Sequence, residues 1–278
     1  MTPPDDPDDP DDPDDFDGED WKATYWREPD MILTDEEYEE AFFQEEVDRY
    51  DQELDDDVDW YPPVSEGGVI KENILLRADG LEIPYLVHFT KLKNLTGIMK
   101  HGLYPRSRLV EVGITHEISD QHRLDGNTDG TSLSIGFPNY KMFFSKRDAD
   151  RSVEWVVLLL DRSVLWKMRC AFFPRNAASN QFRSHLREAL MTPEAFASMY
   201  DEIVGKWSRS EQILKSYDPT DPQAEVVAFD VIQPKYIRGV AFQSEKARDM
   251  IQLVIGERLS IVRGALFSSR PYARKCDG

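Results

Sequence analysis

Gln223-Ala-Glu-Val-Val-Ala-Phe-Asp-Val-Ile232 follows directly on the turn run Asp218-Pro-Thr-Asp-Pro222 and precedes Ile237-Arg-Gly-Val-Ala-Phe242. Short runs of β-branched and aromatic residues, closed off by turn residues, read as strands with both faces covered. Glu225–Ile232 and Ile237–Phe242 are therefore expected as buried strands. Upstream, Trp155–Leu160 is an unbroken apolar run between Glu154 and Asp161, a central strand, and Ile83–Phe89 is a first core strand. Leu259–Val262 is a final one. Asn94 is placed to cap a helix containing Leu95, Ile98 and Met99, with Gly102 where a left-handed C-cap belongs. Ser132–Phe137 and Tyr140–Phe144 read as short strand or helix pieces, 163–168 as one helical turn, 180–204 as helical, 217–221 as a turn and Ala247–Leu253 as a helix. Tyr61-Pro-Pro63 and Glu66-Gly-Gly68 read as a linker, with a strand or short helix over 69–76. Helices concentrate in two places and strands dominate the second half, so the class is α+β rather than a doubly wound sheet.

The charge is divided as sharply as the pattern. The 278 residues hold 33 Lys and Arg against 53 Asp and Glu, a formal net charge of −20. Residues 1–60 hold 27 of the acids and 3 bases (Lys22, Arg27, Arg49), while the other 218 residues carry 26 acids and 30 bases. An acidic extension (1–65) is thus expected ahead of a mildly basic domain (66–278). Residues 3–17, a Pro-Asp-Asp repeat, have nothing apolar to bury and should be disordered. From Thr34, a capping-box N-cap three residues before Glu37, the aromatic stripe Tyr38, Phe42, Phe43, Val47, Tyr50 and Leu54 predicts an amphipathic acidic helix over 35–54. It either packs on the body or, as a tethered polyanion, competes with a nucleic-acid phosphate backbone for a basic channel.

Several classes are excluded. No stretch approaches the roughly 20 apolar residues of a membrane span, and the first residues do not form a signal peptide. Cys170 and Cys276 make no disulfide framework. The five histidines include no i,i+3 or i,i+4 pair, so no metal is expected. There is no GxGxxG, no GxxxxGK[ST] and no G-x-S-x-G. The reading is a cytoplasmic, soluble, metal-free protein.

Glu225 is the most informative candidate residue. A carboxylate at the lip of a buried strand is held rigidly and partly desolvated, as catalysis requires. Taken alone, it reads as the last solvated residue before the strand. His88 lies in the run Tyr85-Leu-Val-His-Phe-Thr90 and, alone, reads as a satisfied core histidine. Residues 104–131 are polar and irregular, with Arg106, Arg108, Arg123 and the turn run Asp125–Gly130; a loop this long is more often functional than filler.

In order along the chain stand VHFT (87–90), KNLTGIMKHGL (93–103), Arg123, SLSIGFPNYKMFF (132–144), WVVLLLD (155–161), FFPRNAAS (172–179), QAEVVAFDVI (223–232) and IRGVAF (237–242). This set resembles the DarT family, ADP-ribosyltransferase toxins that modify bases in single-stranded DNA with NAD⁺. It covers about residues 83–243 and none of the acidic extension. The resemblance implies an ADP-ribosyltransferase-like split β-sheet core with flanking helices. It implies Glu225 as the catalytic glutamate and Arg123 as the loop arginine that handles NAD⁺, with Arg106 or Arg108 as possible substitutes. It implies His88, Phe89, Thr90 and Asn94 as NAD⁺ contacts and Tyr140 and Met142 as the nicotinamide wall. Gln223, Lys141, Arg175 and Asn176 fall to the substrate; the family often has histidine near 176, so Arg175-Asn176-Ala177 is a departure. FPNYKMFF looks closer to a guanine-modifying branch than to a thymine-modifying one.

The residue types suit the chemistry. Breaking the nicotinamide–ribose bond passes through an oxocarbenium-like state that a carboxylate stabilises, and the same carboxylate can take a proton from the attacking base. An arginine holds a pyrophosphate through charge-assisted bonds. The reactive edge of a base is covered in a duplex, so the substrate is expected to be single-stranded. Arg106, Arg108, Lys141, Arg147, Arg151 and Arg175 are candidate phosphate contacts. The expected partners are the DNA strand and a cognate antitoxin of the ADP-ribosylglycohydrolase class, with no membrane. A second reading keeps the reaction and changes the target to RNA or protein. A third is a non-catalytic protein whose acidic extension mimics DNA.

Overall fold

The computed structural model of the chain describes residues 66–105, 107–108, 130–177 and 187–276. The acidic extension, the helix expected over 35–54, Arg106, Arg123 and most of the polar loop lie outside the described residues. The fold is built on strand β3 (Trp155–Leu160), whose six residues are all buried. Its side chains alternate between two apolar clusters, Val156, Leu158 and Leu160 on one face and Trp155, Val157 and Leu159 on the other. This is why the sequence is continuously apolar there. β3 pairs antiparallel with β1 (Leu86–Lys91) and β6 (Ile237–Phe242), and β6 pairs parallel with β7 (Leu259–Val262). β4 (Cys170–Phe173), β5 (Glu225–Ala228) and β2 (Thr131–Ile135) complete a seven-stranded mixed sheet in the order β4-β5-β2-β1-β3-β6-β7. The class is α+β.

The helices flank this sheet. They are α1 (Glu66–Gly80), α2 (Leu95–His101), α3 (Tyr140–Ala149), α4 (Val164–Lys167), α5 (Pro193–Ser198), α6 (Glu245–Asp249), α7 (Gln252–Ile255) and α8 (Arg270–Cys276). α1 corrects the linker reading of Glu66–Gly68 and decides 69–76 for helix over strand. Ile70, Ile74 and Ala78 recur every fourth residue and pack on the core, a helical stripe that outweighs Gly68, beside which a side chain would meet only open space.

Other expectations shift by local physics. β1 begins three residues later than Ile83. The helical composition of 180–204 gives a short 3-10 turn (Arg187–Leu190) and then α5, because Pro193 can only open a helix and Thr192 caps it by accepting from the Ala195 N–H at 3.2 Å. β5 ends at Ala228; beyond it only Ile232 bridges to Leu103. The helix expected at 247–253 is two pieces, α6 and α7. Gly102 does end α2, with φ +90°, and a Cβ there would sit 2.3 Å from the Ile232 carbonyl oxygen, so only glycine fits. β4 and α8 had no counterpart in the sequence reading.

Candidate active site

The backbone ladder that joins the two halves of the sheet is short. β1 and β2 share only the pairs Leu86↔Ile135 and Val87↔Ser134, whereas β1 and β3 share six. One face of the sheet carries a single apolar cluster through both halves, including Leu86, Leu133, Leu158 and Val226. The other face carries two separate clusters: Val87, Phe143, Trp155 and Val157 on one half, Ala171, Phe173, Val227 and Phe229 on the other. Polar positions stand at that division. Leu133 and Ile135 face the shared cluster, so Ser132 and Ser134 face the divided side.

Glu225 belongs to the same division. It alternates with Val226 of the shared cluster, and the register that pairs Leu133 with Val226 carries it to the level of Ser134. It is only 7% exposed, and its Oε2 accepts the Ala177 N–H at 3.3 Å. It is therefore not the last solvated residue of a turn; it is a carboxylate held inside the start of β5. Opposite, β1 parts from β2 at His88. There the imidazole Nδ1–H donates to the Ser132 carbonyl at 2.8 Å. A carbonyl only accepts, so Nδ1 carries the hydrogen of this bond. His88 thus ties the split together where the backbone ladder stops.

The remaining sequence candidates fall into place unevenly. Thr90 and Asn94 are buried together, the Asn94 Nδ2 donating to Thr90 Oγ1 at 3.2 Å. Asn94 is used in this bond and makes no side-chain cap for α2, contrary to expectation. Phe89 stacks on Phe143 at 4.5 Å and meets Trp155 edge-on. Asn139 caps α3 by accepting the Met142 N–H at 3.2 Å, which sets Tyr140 and Met142 half-buried and Lys141 outward. Burial pushes the Tyr140 phenol above its usual range, with Arg270 opposing and Asp221 reinforcing the shift. Arg175 is exposed and Asn176 half-buried in the turn that reaches Glu225 through Ala177. Gln223 is half-buried and its N–H donates to Asp221 Oδ1 at 2.8 Å. Arg147 donates to the Phe267 carbonyl at 2.6 Å and to Gln243, and lies over the rings of Phe143 and Phe267.

Sequence reading missed Asp218, Arg270 and Arg274. Asp218 is fully buried and Arg274 nearly so. The Arg274 Nε and Nη2 each lie 2.7 Å from one Asp218 oxygen, a bidentate pair. Arg270, also buried, donates to the carbonyls of Pro219 (2.7 Å) and Thr220 (3.1 Å). Burial lowers its guanidinium below the usual range, against the pull of Asp218 and Tyr140. Two arginines four apart in a short basic tail gave no sign of burial, because such spacing normally marks a solvated helix face.

Among the described residues no group of three His, Cys, Asp or Glu is placed to hold a metal ion, and no helix is long and apolar enough to cross a membrane.

A family model described as "DarT: ssDNA thymidine ADP-ribosyltransferase, DarT" matches residues 87–266. Curated proteins give no match. Among solved structures, the DarT of Thermus sp. 2.9 in complex with NAD⁺ is 16% identical, with a TM-score of 0.46 over 67% of this chain and 98% of that one. The same Thermus protein in complex with ADP-ribosylated ssDNA is 16% identical, with a TM-score of 0.44 over 67% and 97%. Thermosipho africanus DarTG in complex with ADP-ribose is 11% identical, with a TM-score of 0.43; the overlap takes in 66% of this chain but only 50% of that longer one. The family match carries the assignment, not these overlaps. It spans well over half of the sequence, and the protein belongs to the DarT family of single-stranded-DNA ADP-ribosyltransferases.

Proposed function

We propose that the protein transfers ADP-ribose from NAD⁺ to a base of single-stranded DNA at the split between β1 and β2, with Glu225 as the acidic residue of the reaction. The observation that carries this is the placement of Glu225: a buried carboxylate at the head of β5, tied by the Ala177 N–H, level with the last rung before the sheet parts. NAD⁺ is a co-substrate here, and no metal is needed.

The step is a substitution at the ribose C1′. The nicotinamide–C1′ bond breaks and its electron pair leaves with nicotinamide. A base nitrogen forms the new bond to C1′, and its proton passes to Glu225. The carboxylate stabilises the positive charge that builds on the ribose, most strongly where water is excluded. His88, held by its Nδ1 bond to the Ser132 carbonyl, meets a ribose hydroxyl. Tyr140, whose phenol burial shifts upward, and Met142 wall the nicotinamide. Phe89, Thr90 and Asn94 shape the NAD⁺ side, while Gln223, Lys141, Arg175 and Asn176 meet the strand. Arg123 takes the pyrophosphate.

For the base, the family model's description supports thymidine. The guanine reading rests on FPNYKMFF, and in that block Phe137, Asn139 and Phe143 are buried; their identities answer to packing first. The catalytic domain is residues 66–278, beginning with α1, which packs on α4 and α5; 1–65 is an extension. The protein acts as the toxin of a toxin–antitoxin or phage-defence pair in the cytoplasm, where NAD⁺ and DNA are both available. Its antitoxin is a hydrolase that removes the adduct.

The test is mass spectrometry of single-stranded DNA and RNA oligonucleotides of each base after incubation with the protein and NAD⁺. An ADP-ribose adduct on DNA, mapped to thymidine, is expected. Adduct on guanine alone would overturn the base, adduct on RNA alone the target, and no adduct on either the reading itself.

A further inference from the structure

The segment that leads into Glu225 is a loop, yet its centre, 218–220, is buried and its backbone is tied at many points. Asp218, Pro219 and Thr220 are inaccessible. Of the six carbonyls from Lys215 to Thr220, five accept arginine N–H groups. Arg209 takes those of Lys215 (3.0 Å), Ser216 (3.2 Å) and Asp218 (2.6 Å); Arg270 takes those of Pro219 and Thr220. Buried loop carbonyls need such partners, because they have no ladder of their own. Arg274 holds the Asp218 carboxylate and lies 5.6 Å from the rings of both Phe137 and Tyr217. Tyr217 in turn lies against Gly136, where a Cβ would come within 2.8 Å of its ring.

From Thr220 to Glu225 there is no slack. The Thr220 N–H donates to Met199, the Gln223 N–H to the Asp221 side chain and the Ala224 N–H to the Asp221 carbonyl. Glu225 is then the first rung of β5 against Phe173. A displacement of the loop is therefore a displacement of Glu225. The Arg270 charge also opposes the upward shift of the Tyr140 phenol at the head of α3. Arg270 and Arg274 lie beyond residue 266, where the family match ends.

We infer that α8 is a positioning clamp: Arg270 and Arg274 fix the loop 215–224 and thereby the placement of Glu225 and Gln223, without touching substrate. This rests on the reading of Glu225 given above.

The test compares the full-length chain with Arg270→Lys and Arg274→Lys, which keep the charge and lose the fork. Glu225→Gln is the reaction control and Arg248→Ala, in an exposed ion pair with Asp249, the surface control. Turnover per folded molecule, KM for NAD⁺ and amide exchange are read well below the melting temperature. Small misplacement of a reacting group costs up to about a hundredfold. The expected result is a kcat lower by about tenfold to a hundredfold, a KM for NAD⁺ unchanged within about threefold, and faster exchange at Thr220, Gln223 and Ala224 while β3 stays protected. Turnover within about twofold of the parent in both lysine variants, or a KM that rises as much as kcat falls, would overturn the clamp. If neither variant folds, Arg209→Lys, which loosens the neighbouring carbonyls of Lys215, Ser216 and Asp218 in the same loop, is held to the same outcomes. If Glu225→Gln is inactive and the lysine variants are not impaired, the clamp alone falls. If Glu225→Gln remains fully active, both readings fall.

Discussion

The half of the sheet formed by β1, β3, β6 and β7 and the half formed by β4, β5 and β2 are held in place by different physics. In the first, three strands of six residues pair over long registers and bury apolar side chains on both faces. Strand pairing and packing suffice to fix it. In the second, the strands are only four or five residues long; β2 alternates apolar residues with serine and β5 opens on a glutamate. Their placement depends on side chains bonding to backbone: Ala177 on Glu225, His88 on Ser132, and arginines on the loop 215–220. A frame can thus be rigid by pairing alone, while the half that carries the reactive carboxylate is tuned by individually replaceable contacts.

Substitutions in the two halves should separate activity from stability. The largest effect belongs to the second half: Glu225→Gln should lower transfer by about 10²–10⁴-fold, the usual scale for a positioned acid or base, with a melting curve close to the parent's. In the first half, Leu158→Ala should do the reverse. It opens a cavity in a fully buried strand, costing about 2–5 kcal/mol by chemical denaturation, with KM for NAD⁺ unchanged. Gly136→Ala bridges the halves: at φ +67° and 2.8 Å from the Tyr217 ring, a methyl group should cost about 1–3 kcal/mol and also slow turnover, because Tyr217 belongs to the loop before Glu225. The smallest effect is expected from deleting residues 1–60. If the acidic extension competes with DNA, deletion should lower the KM for oligonucleotide severalfold at low salt and do little at high salt; the same KM at both would show that it does not compete.

Legibility in the sequence follows the same division. Trp155–Leu160, Ile237–Phe242 and Leu259–Val262 are the observed strands residue for residue; the first is buried on both faces and therefore writes itself as an unbroken apolar run. β4 was missed: Cys-Ala-Phe-Phe is too short a run to show a period, and only its pairing with β5 makes it a strand. Glu225 was legible as the opening of a strand, but its burial was not, since that comes from the distant Ala177 turn and from its place on the divided face. Asp218, Arg270 and Arg274 left no local signal; a buried ion pair 56 residues apart in sequence is a product of the tertiary fold. Arg123, the loop arginine expected for NAD⁺, lies outside the described residues.

The central claim is that Glu225, held at the split, drives transfer from NAD⁺ to single-stranded DNA. The most direct measurement follows nicotinamide release and oligonucleotide adduct together, in parent and Glu225→Gln protein of equal folded concentration. The account predicts that the parent releases nicotinamide in step with adduct on the DNA strand and that the variant yields neither. A variant that forms adduct at the parent's rate, or a parent that releases nicotinamide without marking DNA, would contradict it.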